Sequence, residues 1–209
     1  MKTLDSRQDD QIVDEIHAAF AGGEIDGTGP LRTRLSDRAD EEGLLDVAYR
    51  TVDSPFGPLL VAATPRGVVR IAFDSEGHSS VLGRLAAQVS PRVLLAPRRL
   101  EVIARQLAAY FAGRLRAFDV PVDLQLAQGF RRTVLDHLRD IPYGATESYA
   151  AVAAAAGRPS AVRAAGGACS NNPIPLVVPC HRVVRSDGTI GQYRGGSKAK
   201  EILLALERA

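Results

Sequence analysis

The sequence is poor in the residues that build covalently linked or metal-bound cores. Its 209 residues contain two cysteines, one methionine and no tryptophan. Two cysteines cannot form a disulfide framework, and no Cys or His pair has the spacing of a zinc site, so we expect no bound metal. No apolar run approaches the roughly 18 residues of a membrane span, and the acidic N-terminus does not resemble a secretory signal. We therefore expect a cytoplasmic protein with free thiols and no membrane contact.

Charge is distributed unevenly along the chain. Residues 1–46 hold twelve Asp and Glu against five Lys and Arg, a net charge of −7, whereas residues 47–209 carry +9. Most of the basic residues in the second part are arginines, which favours bidentate contact with phosphate groups. This balance indicates nucleic-acid binding, although a solvated cationic surface would have the same composition.

Residues 1–45 are predicted to form an acidic N-terminal extension. Ile12, Ile16 and Phe20 recur at helical spacing and predict one amphipathic helix. The glycine-rich stretch at 21–30 ends that pattern and predicts a linker, which leads into a short acidic run. We expect this extension to dock on the basic body of the protein and not to fold as a domain of its own.

Residues 46–124 have the pattern of a small α/β domain. Strand-like runs D-V-A-Y-R-T-V, P-L-L-V-A-A-T and V-V-R-I-A-F are separated by the turns S-P-F-G and P-R-G, which predicts an antiparallel meander sheet. Helical spacing at 79–88 and 98–113 predicts helices that cover this sheet. One side of the second helix would carry the apolar residues Leu100, Ile103, Leu107, Tyr110 and Phe111.

Residues 125–209 are predicted to form a mostly helical domain. An amphipathic helix follows Phe130 and stops at P-Y-G, and a short alanine-rich helix is closed by Gly157. Pro159 lies near the start of the next helix. Two short helices joined by a Gly-Arg-Pro turn indicate a helix-turn-helix, a signal that many helical hairpins share. The predicted fold class is therefore α/β plus α, with the sheet domain first.

The segment 171–184, N-N-P-I-P-L-V-V-P-C-H-R-V-V, is the candidate reactive site. Pro179 stiffens the backbone beside Cys180, which His181 follows directly. A thiol attacks as thiolate, so a nucleophilic cysteine needs a base or a positive neighbourhood, which His181, Arg182 and Arg185 could supply. The alternative is a buried, inert cysteine beside a core histidine, and the residues alone leave both interpretations open.

Six motifs carry a resemblance to a known family. They run in order from I-P-Y-G-x-T-x-S-Y (141–149) through R-A-A-G-G-A (163–168), N-P-I-P (172–175), P-C-H-R-V-V (179–184) and S-D-G-x-I-G-x-Y-x-G-G (186–196) to K-E-x-L-L-x-x-E (200–207). Together they resemble the O-6-alkylguanine-DNA alkyltransferases. The resemblance implies a single-turnover, irreversible transfer of an alkyl group, above all methyl, from O-6 of guanine or O-4 of thymine to the protein. It implies no cofactor.

The resemblance also implies roles for five residues in the transfer reaction. Cys180 would be the nucleophile that accepts the alkyl group, and His181 the base that activates its thiol through a bound water. Glu207 would orient and charge this histidine. Tyr149 would donate a proton or hydrogen bond to the leaving base. Asn172 would tie the helix-turn-helix to the reactive segment by hydrogen bonds to the backbone.

Double-stranded DNA is the implied partner, bound through the minor groove by a monomer that flips the damaged nucleotide out of the duplex. Arg163 would fill the gap in the base stack, and the small residues beside it would let their helix approach the groove closely. These small residues are Ala164, Ala165, Gly166 and Gly167. The base pocket would be walled by the loop 190–195 and lined by Pro175, Val183, Tyr193 and Arg194.

Two departures and two alternatives accompany this resemblance. Arg194 stands where many members have a smaller residue, which puts the tolerated size of the alkyl group in doubt. The zinc ligands of some relatives have no counterparts in this sequence. One alternative is a module that binds alkylated DNA without repairing it, against which Cys180 argues. The other is an unrelated Cys–His hydrolase, which would need an oxyanion hole and would turn over.

Overall fold

The computed structural model describes residues 29–208, and the helix predicted at Ile12, Ile16 and Phe20 lies outside them. The first described element is helix α1 (Gly29–Glu41), which lies against the edge of the sheet. The sequence had predicted a linker at residues 21–30 followed by a short acidic run, and it had predicted no helix at 29–41. Ser36 and Ala39 are the buried residues among its described side chains, and two such positions are too few to identify a helix by their spacing.

A four-stranded sheet forms the centre of the first domain, in the order β3-β2-β1-β4. Strands β1 (Val47–Val52), β2 (Leu59–Thr64) and β3 (Gly67–Phe73) pair in an antiparallel meander, which confirms the predicted sheet. A fourth strand, β4 (Val93–Leu95), pairs in parallel with β1 and was not predicted. Its three residues are too few for an alternating pattern to identify it.

Helices cover this sheet, as the sequence predicted, and they lie on both of its faces. Helix α2 (His78–Gln88) packs Val81 and Leu85 on one face, against Leu60 of β2. Helix α3 (Glu101–Phe111) follows a 3-10 turn (Pro97–Leu100) and covers the other face with Ile103, Leu107 and Tyr110. Because both faces are covered, every residue of β2 and β3 is buried. Tyr110 lies near the end of α3 and its side chain reaches the second domain.

The second domain is mostly helical, as predicted. It contains α4 (Gly129–Leu138), α5 (Tyr149–Ala155), α6 (Val162–Ser170) and α7 (Ser197–Arg208). Helices α5 and α6 pack on each other and on α4, and they form the predicted helix-turn-helix. Ser148 caps α5 by accepting a hydrogen bond from Ala151 N at 3.1 Å, and Gly157 closes that helix with a φ of 77°.

A short parallel pairing places the reactive segment beside this helix pair. Strand β5 (Glu147–Ser148) directly precedes α5 and pairs with β6 (Val183–Val184), which follows Cys180–Arg182 in the chain. The reactive segment and the first residue of α5 are thereby held side by side. Between residues 29 and 208, none of the helices is both long enough and apolar enough to cross a membrane.

Candidate functional site

Residues Cys180–Arg182 form a single turn of 3-10 helix between Pro179 and β6. The turn is buried, with Cys180 3% exposed and His181 fully covered. Neighbouring residues on a strand point to opposite faces, so an adjacent Cys and His can cooperate only at a turn or a helix start. The structure provides this turn.

Asn172 connects the end of the helix-turn-helix to Cys180. Its Nδ2 donates to Val178 O at 2.7 Å and lies 3.1 Å from Cys180 Sγ, and its Oδ1 accepts from Ile174 N at 3.0 Å. The side chain is 1% exposed. Because donor and acceptor are both satisfied inside the loop, Asn172 fixes the position of the thiol.

Glu207, in the last turn of α7, is the centre of a buried hydrogen-bond network. Its Oε1 lies 2.9 Å from His181 Nε2 and accepts from Arg182 Nη2 at 2.9 Å and from the Tyr110 hydroxyl at 2.7 Å. Its Oε2 accepts from Arg182 Nε at 2.8 Å and from Gly144 N at 3.2 Å. The bidentate guanidinium contact supplies the counter-charge that a buried carboxylate needs.

Two members of this network were assigned no such role from the sequence. Tyr110 was interpreted as an apolar residue of a covering helix, and the one available signal was that a buried tyrosine hydroxyl needs a partner. Arg182 was considered as a positive neighbour of the thiol. The structure instead pairs Arg182 with Glu207 and with Ile141 O, the latter at 2.5 Å. Arg185, the other basic candidate, is exposed.

Burial and hydrogen bonding set the protonation of the three central groups. Burial raises the pKa of the Cys180 thiol, while the Asn172 hydrogen bond and the charge of Lys200 oppose that shift. Burial lowers the pKa of His181, and Glu207 opposes it. For Glu207, burial acts to raise the pKa, but hydrogen bonds from His181 and Arg182 hold it well below the usual 4.5. The resting pair is therefore a neutral thiol beside a neutral imidazole.

The two ring nitrogens of His181 have different surroundings. Nε2 is 2.9 Å from Glu207 and 3.3 Å from the Tyr110 hydroxyl. Nδ1 is buried and has no hydrogen-bond partner within residues 29–208. Since a neutral imidazole donates from one nitrogen and accepts at the other, Nδ1 is the nitrogen that can accept a proton when Nε2 donates to Glu207.

Tyr149 begins α5 and packs against the loop 186–196. A Cβ added at Gly191 would lie 2.9 Å from Tyr149 Cε2, and one at Gly166 would lie 3.9 Å from its ring. The buried Lys200 places its Nζ 5.8 Å from the ring centroid and donates to Val183 O. Burial raises the pKa of Tyr149 to about 12, so its hydroxyl keeps its proton at neutral pH. The sequence reasoning gave Lys200 no role of its own.

The loop that carries Tyr193 rests on the first domain. The Tyr193 ring meets Phe73 edge-on at 5.6 Å between centroids, and it lies 6.3 Å from the His181 ring. A Cβ at Gly195 would lie 2.7 Å from Phe73 Cε1, so the loop has no space for a larger residue there. The end of β3 therefore packs against the loop and supports it.

Arg194 fastens the same loop at two points. Its Nε and Nη2 donate to Ser170 O at 3.0 and 2.7 Å, and its Nη1 forms an ion pair with Glu76 at 2.7 Å. Ser170 ends α6, and Glu76 belongs to a 3-10 turn (Asp74–Glu76) in the first domain. The predicted place of Arg194 in the pocket lining stays a prediction, as do those of Pro175 and Val183, which are both buried.

On helix α6, small uncharged residues surround one arginine. Arg163 is exposed, and within the described chain no hydrogen bond or salt bridge holds its side chain. Ala164 and Gly167 are exposed beside it, whereas Ala165 is buried and Gly166 faces Tyr149.

Of the predicted catalytic residues, His181 contacts Glu207 directly and Asn172 contacts Cys180. Tyr149 is next to Lys200 and Gly191 instead.

Comparison with known proteins divides the chain at the boundary between its two domains. Residues 47–124 match the ribonuclease-like domain of 6-O-methylguanine DNA methyltransferase, and residues 129–209 match the DNA binding domain of the same protein. The two domains of the fold are thus those of one class of protein. The chain belongs to the 6-O-methylguanine DNA methyltransferase family.

Several relatives share both domains. A methylated-DNA–protein-cysteine methyltransferase of Mycolicibacterium paratuberculosis is 40% identical over 162 residues, which are 78% of this chain and 93% of that protein. The Mus musculus protein of the same name is 41% identical, over 76% of this chain and 80% of that one. The chain in the crystal structure of the Mycobacterium tuberculosis O6-methylguanine methyltransferase is 38% identical in sequence, with a TM-score of 0.68, and the match covers 78% of this chain and 93% of that one. The chain in the crystal structure of Mycobacterium tuberculosis OGT in complex with DNA is also 38% identical, with a TM-score of 0.66, and the match covers 77% of this chain and 92% of that one.

Proposed function

We propose that this protein repairs DNA by direct reversal and transfers the alkyl group, above all methyl, from O-6 of guanine to Sγ of Cys180. The observation that carries the proposal is a buried thiol fixed by Asn172 and followed by a histidine that contacts Glu207. Relatives about 40% identical are named methylated-DNA–protein-cysteine methyltransferases. Because a thioether has no easy reversal, each molecule acts once. The transfer needs no cofactor.

The reaction is a single displacement at the alkyl carbon. The thiol proton passes to His181, whose imidazolium is stabilised by Glu207, and the thiolate attacks. The C–S bond forms as the C–O bond to guanine breaks, and the electron pair remains on the base. Tyr149 donates a hydrogen bond or a proton to the base as negative charge develops there. Its raised pKa supports this role, because the hydroxyl is protonated when the reaction begins.

The reaction requires that the nucleotide leaves the duplex, since a buried thiol cannot reach O-6 in stacked DNA. In our proposal α6 enters the minor groove of double-stranded DNA and Arg163 takes the place of the flipped base. Arg163 is exposed and has no hydrogen-bond or salt-bridge partner in residues 29–208, which supports this mode, as do the small residues beside it. The minor groove carries little sequence information, which suits recognition of damage at any sequence. We propose that a monomer does this.

The flipped base would enter a pocket walled by Pro175, Val183, Tyr193 and Arg194. We further propose a division into an extension (1–45), a sheet domain (46–124) and a DNA-binding and alkyl-acceptor domain (125–209). A cytoplasmic location agrees with the free thiols of Cys169 and Cys180, which persist in a reducing compartment.

Intact-protein mass spectrometry after incubation with duplex DNA containing O-6-methylguanine tests the proposal. We expect one methyl group per protein molecule, mapped to Cys180, and no transfer to Cys180→Ser. The matched variant Cys169→Ser should transfer normally. A methyl group on Cys169 would contradict the assignment of the nucleophile. Repeated turnover would favour the hydrolase alternative, and tight binding of damaged DNA without transfer would favour the lesion-binding module.

A further inference from the structure

A cavity of about 460 Å³ lies between the two domains, and neither Cys180 nor His181 lines it. Helix α2 and strand β3 form its wall on the side of the first domain, and α4 and the loop at Arg194 close the side of the second. Its ionisable side chains are Arg70, Arg84, Arg131, Arg194 and Glu76. Four guanidinium groups therefore face one carboxylate, a charge surplus of +3.

The single carboxylate has no capacity left to neutralise this surplus. Glu76 Oε2 already forms ion pairs with Arg70 and with Arg194 Nη1. Its Oε1 accepts from Phe73 N at 3.1 Å. The side chain is 9% exposed, so water reaches little of it.

Arg84 and Arg131 have no carboxylate partner anywhere in residues 29–208. Arg84 Nη1 donates to Ser80 Oγ at 2.7 Å, and Arg131 Nη2 donates to the carbonyl oxygen of Leu126. A guanidinium carries five N–H donors, so most of the donors of both residues are free to bind a ligand. Both side chains line the cavity.

Arg194 and Arg84 are also close enough to Arg70 for their charges to act on it. Arg70 is 7% exposed, and burial lowers its pKa. The charges of Arg194 and Arg84 lower it further, against the opposing effect of Glu76. Positive charges gathered in this way are stabilised by an anion that they can share.

We propose that this cavity is an oxyanion site that binds a phosphate group. Arginines bind phosphate in bidentate geometry, and the cavity volume falls within the range of about 300–1,000 Å³ of ligand sites. The phosphate group could belong to the backbone of bound DNA or to a free nucleotide, since both present the same chemistry. The site goes beyond alkyl transfer, because none of its charged residues takes part in the transfer reaction and only Arg194 also belongs to the proposed base pocket.

Thermal unfolding of the full-length protein tests the site, with inorganic phosphate compared against chloride at equal ionic strength. Phosphate should raise the Tm of the parent protein. The double variant Arg84→Gln/Arg131→Gln should bind phosphate about 10-fold or more weakly, because charge-assisted hydrogen bonds are lost. The matched control Arg105→Gln, an exposed arginine of α3, should behave as the parent. Transfer from benzylguanine by all variants shows that they are folded and tests the proposed function separately.

Titration with undamaged duplex DNA identifies the source of the phosphate. If the duplex displaces phosphate, and the double variant reduces the slope of log affinity against log salt by about one, the occupant is a backbone phosphodiester. If the duplex leaves phosphate bound and a nucleoside monophosphate displaces it, the occupant is a free nucleotide. Both results support the oxyanion site. It is overturned if phosphate stabilises no more than chloride does, or stabilises the double variant equally.

Discussion

The substitution Glu207→Gln removes one negative charge from the buried network that joins His181, Arg182 and Tyr110. Glutamine keeps the size of the side chain, but its NH₂ group would face donors that now meet a carboxylate oxygen. Arg182, 7% exposed, would lose its counter-ion. Removing one partner of a buried pair costs about 3–5 kcal/mol, and domains are stable by about 5–15 kcal/mol. The variant should therefore be folded at low temperature but much less stable.

The same substitution should slow alkyl transfer in the folded protein. Without the carboxylate, the imidazolium formed when His181 accepts the thiol proton loses its stabilising charge. General acid–base catalysis contributes about 100- to 10,000-fold, so we expect transfer to fall by about 100-fold or more. The assays are urea unfolding and the rate of transfer from benzylguanine at a temperature where the variant is folded. The control is Glu201→Gln, an exposed glutamate on the same helix.

The acid limb of the stability curve gives a further readout of Glu207. Its pKa is held well below the usual 4.5, so below about pH 4.5 the unfolded chain binds a proton that the folded chain does not. This contribution to the free energy of unfolding is complete above pH 4.5 and is lost as the pH falls. Glu207→Gln should flatten that limb, and Glu201→Gln should not. If the two variants matched in stability, transfer rate and acid profile, the network would have none of the roles described.

Three other outcomes follow from the site. Arg163→Ala should slow transfer from duplex DNA about 10- to 1,000-fold and leave transfer from free benzylguanine nearly unchanged, because base flipping costs a few kcal/mol; equal losses on both substrates would contradict the role in flipping. Gly191→Ala should reduce transfer from both, because its Cβ would lie 2.9 Å from Tyr149 Cε2; normal rates would show that the loop moves freely. Affinity for undamaged duplex, measured by fluorescence anisotropy, should be weak and fall steeply with salt; a flat response would exclude phosphate contacts.

The fold was predictable where local pattern and tertiary structure agree. The meander strands are separated by turn residues, and the covering helices have an apolar side, so both were identified. Strand β4 has three residues, and the described side chains of α1 include two buried ones, so neither element was identified by a periodic pattern. These two elements are fixed by contacts with β1 and with the sheet edge, which the local sequence does not encode.

The candidate site was predictable only in part. Cys180 and His181 adjoin in the chain, so their chemistry could be proposed from the residues, and motif resemblance added Glu207. The partners of Glu207 lie far apart in sequence, with Tyr110 on a covering helix of the other domain. An apolar helix face does not reveal which of its residues has a hydroxyl directed at a carboxylate. The buried position of Lys200 could not be predicted either, since it depends on how α7 packs.

The hydrogen bond between Tyr110 and Glu207 restricts how the two halves of this protein can evolve. They match separate family models, which suggests units that recombination could exchange. Yet the hydroxyl from the first half completes the environment of a carboxylate in the second. A chimera with a foreign first half would therefore need a donor at the equivalent place, together with surfaces equivalent to Phe73 and Glu76 under the loop of Tyr193 and Arg194. Substitutions at contacting positions on the two sides of this boundary should therefore co-vary among relatives.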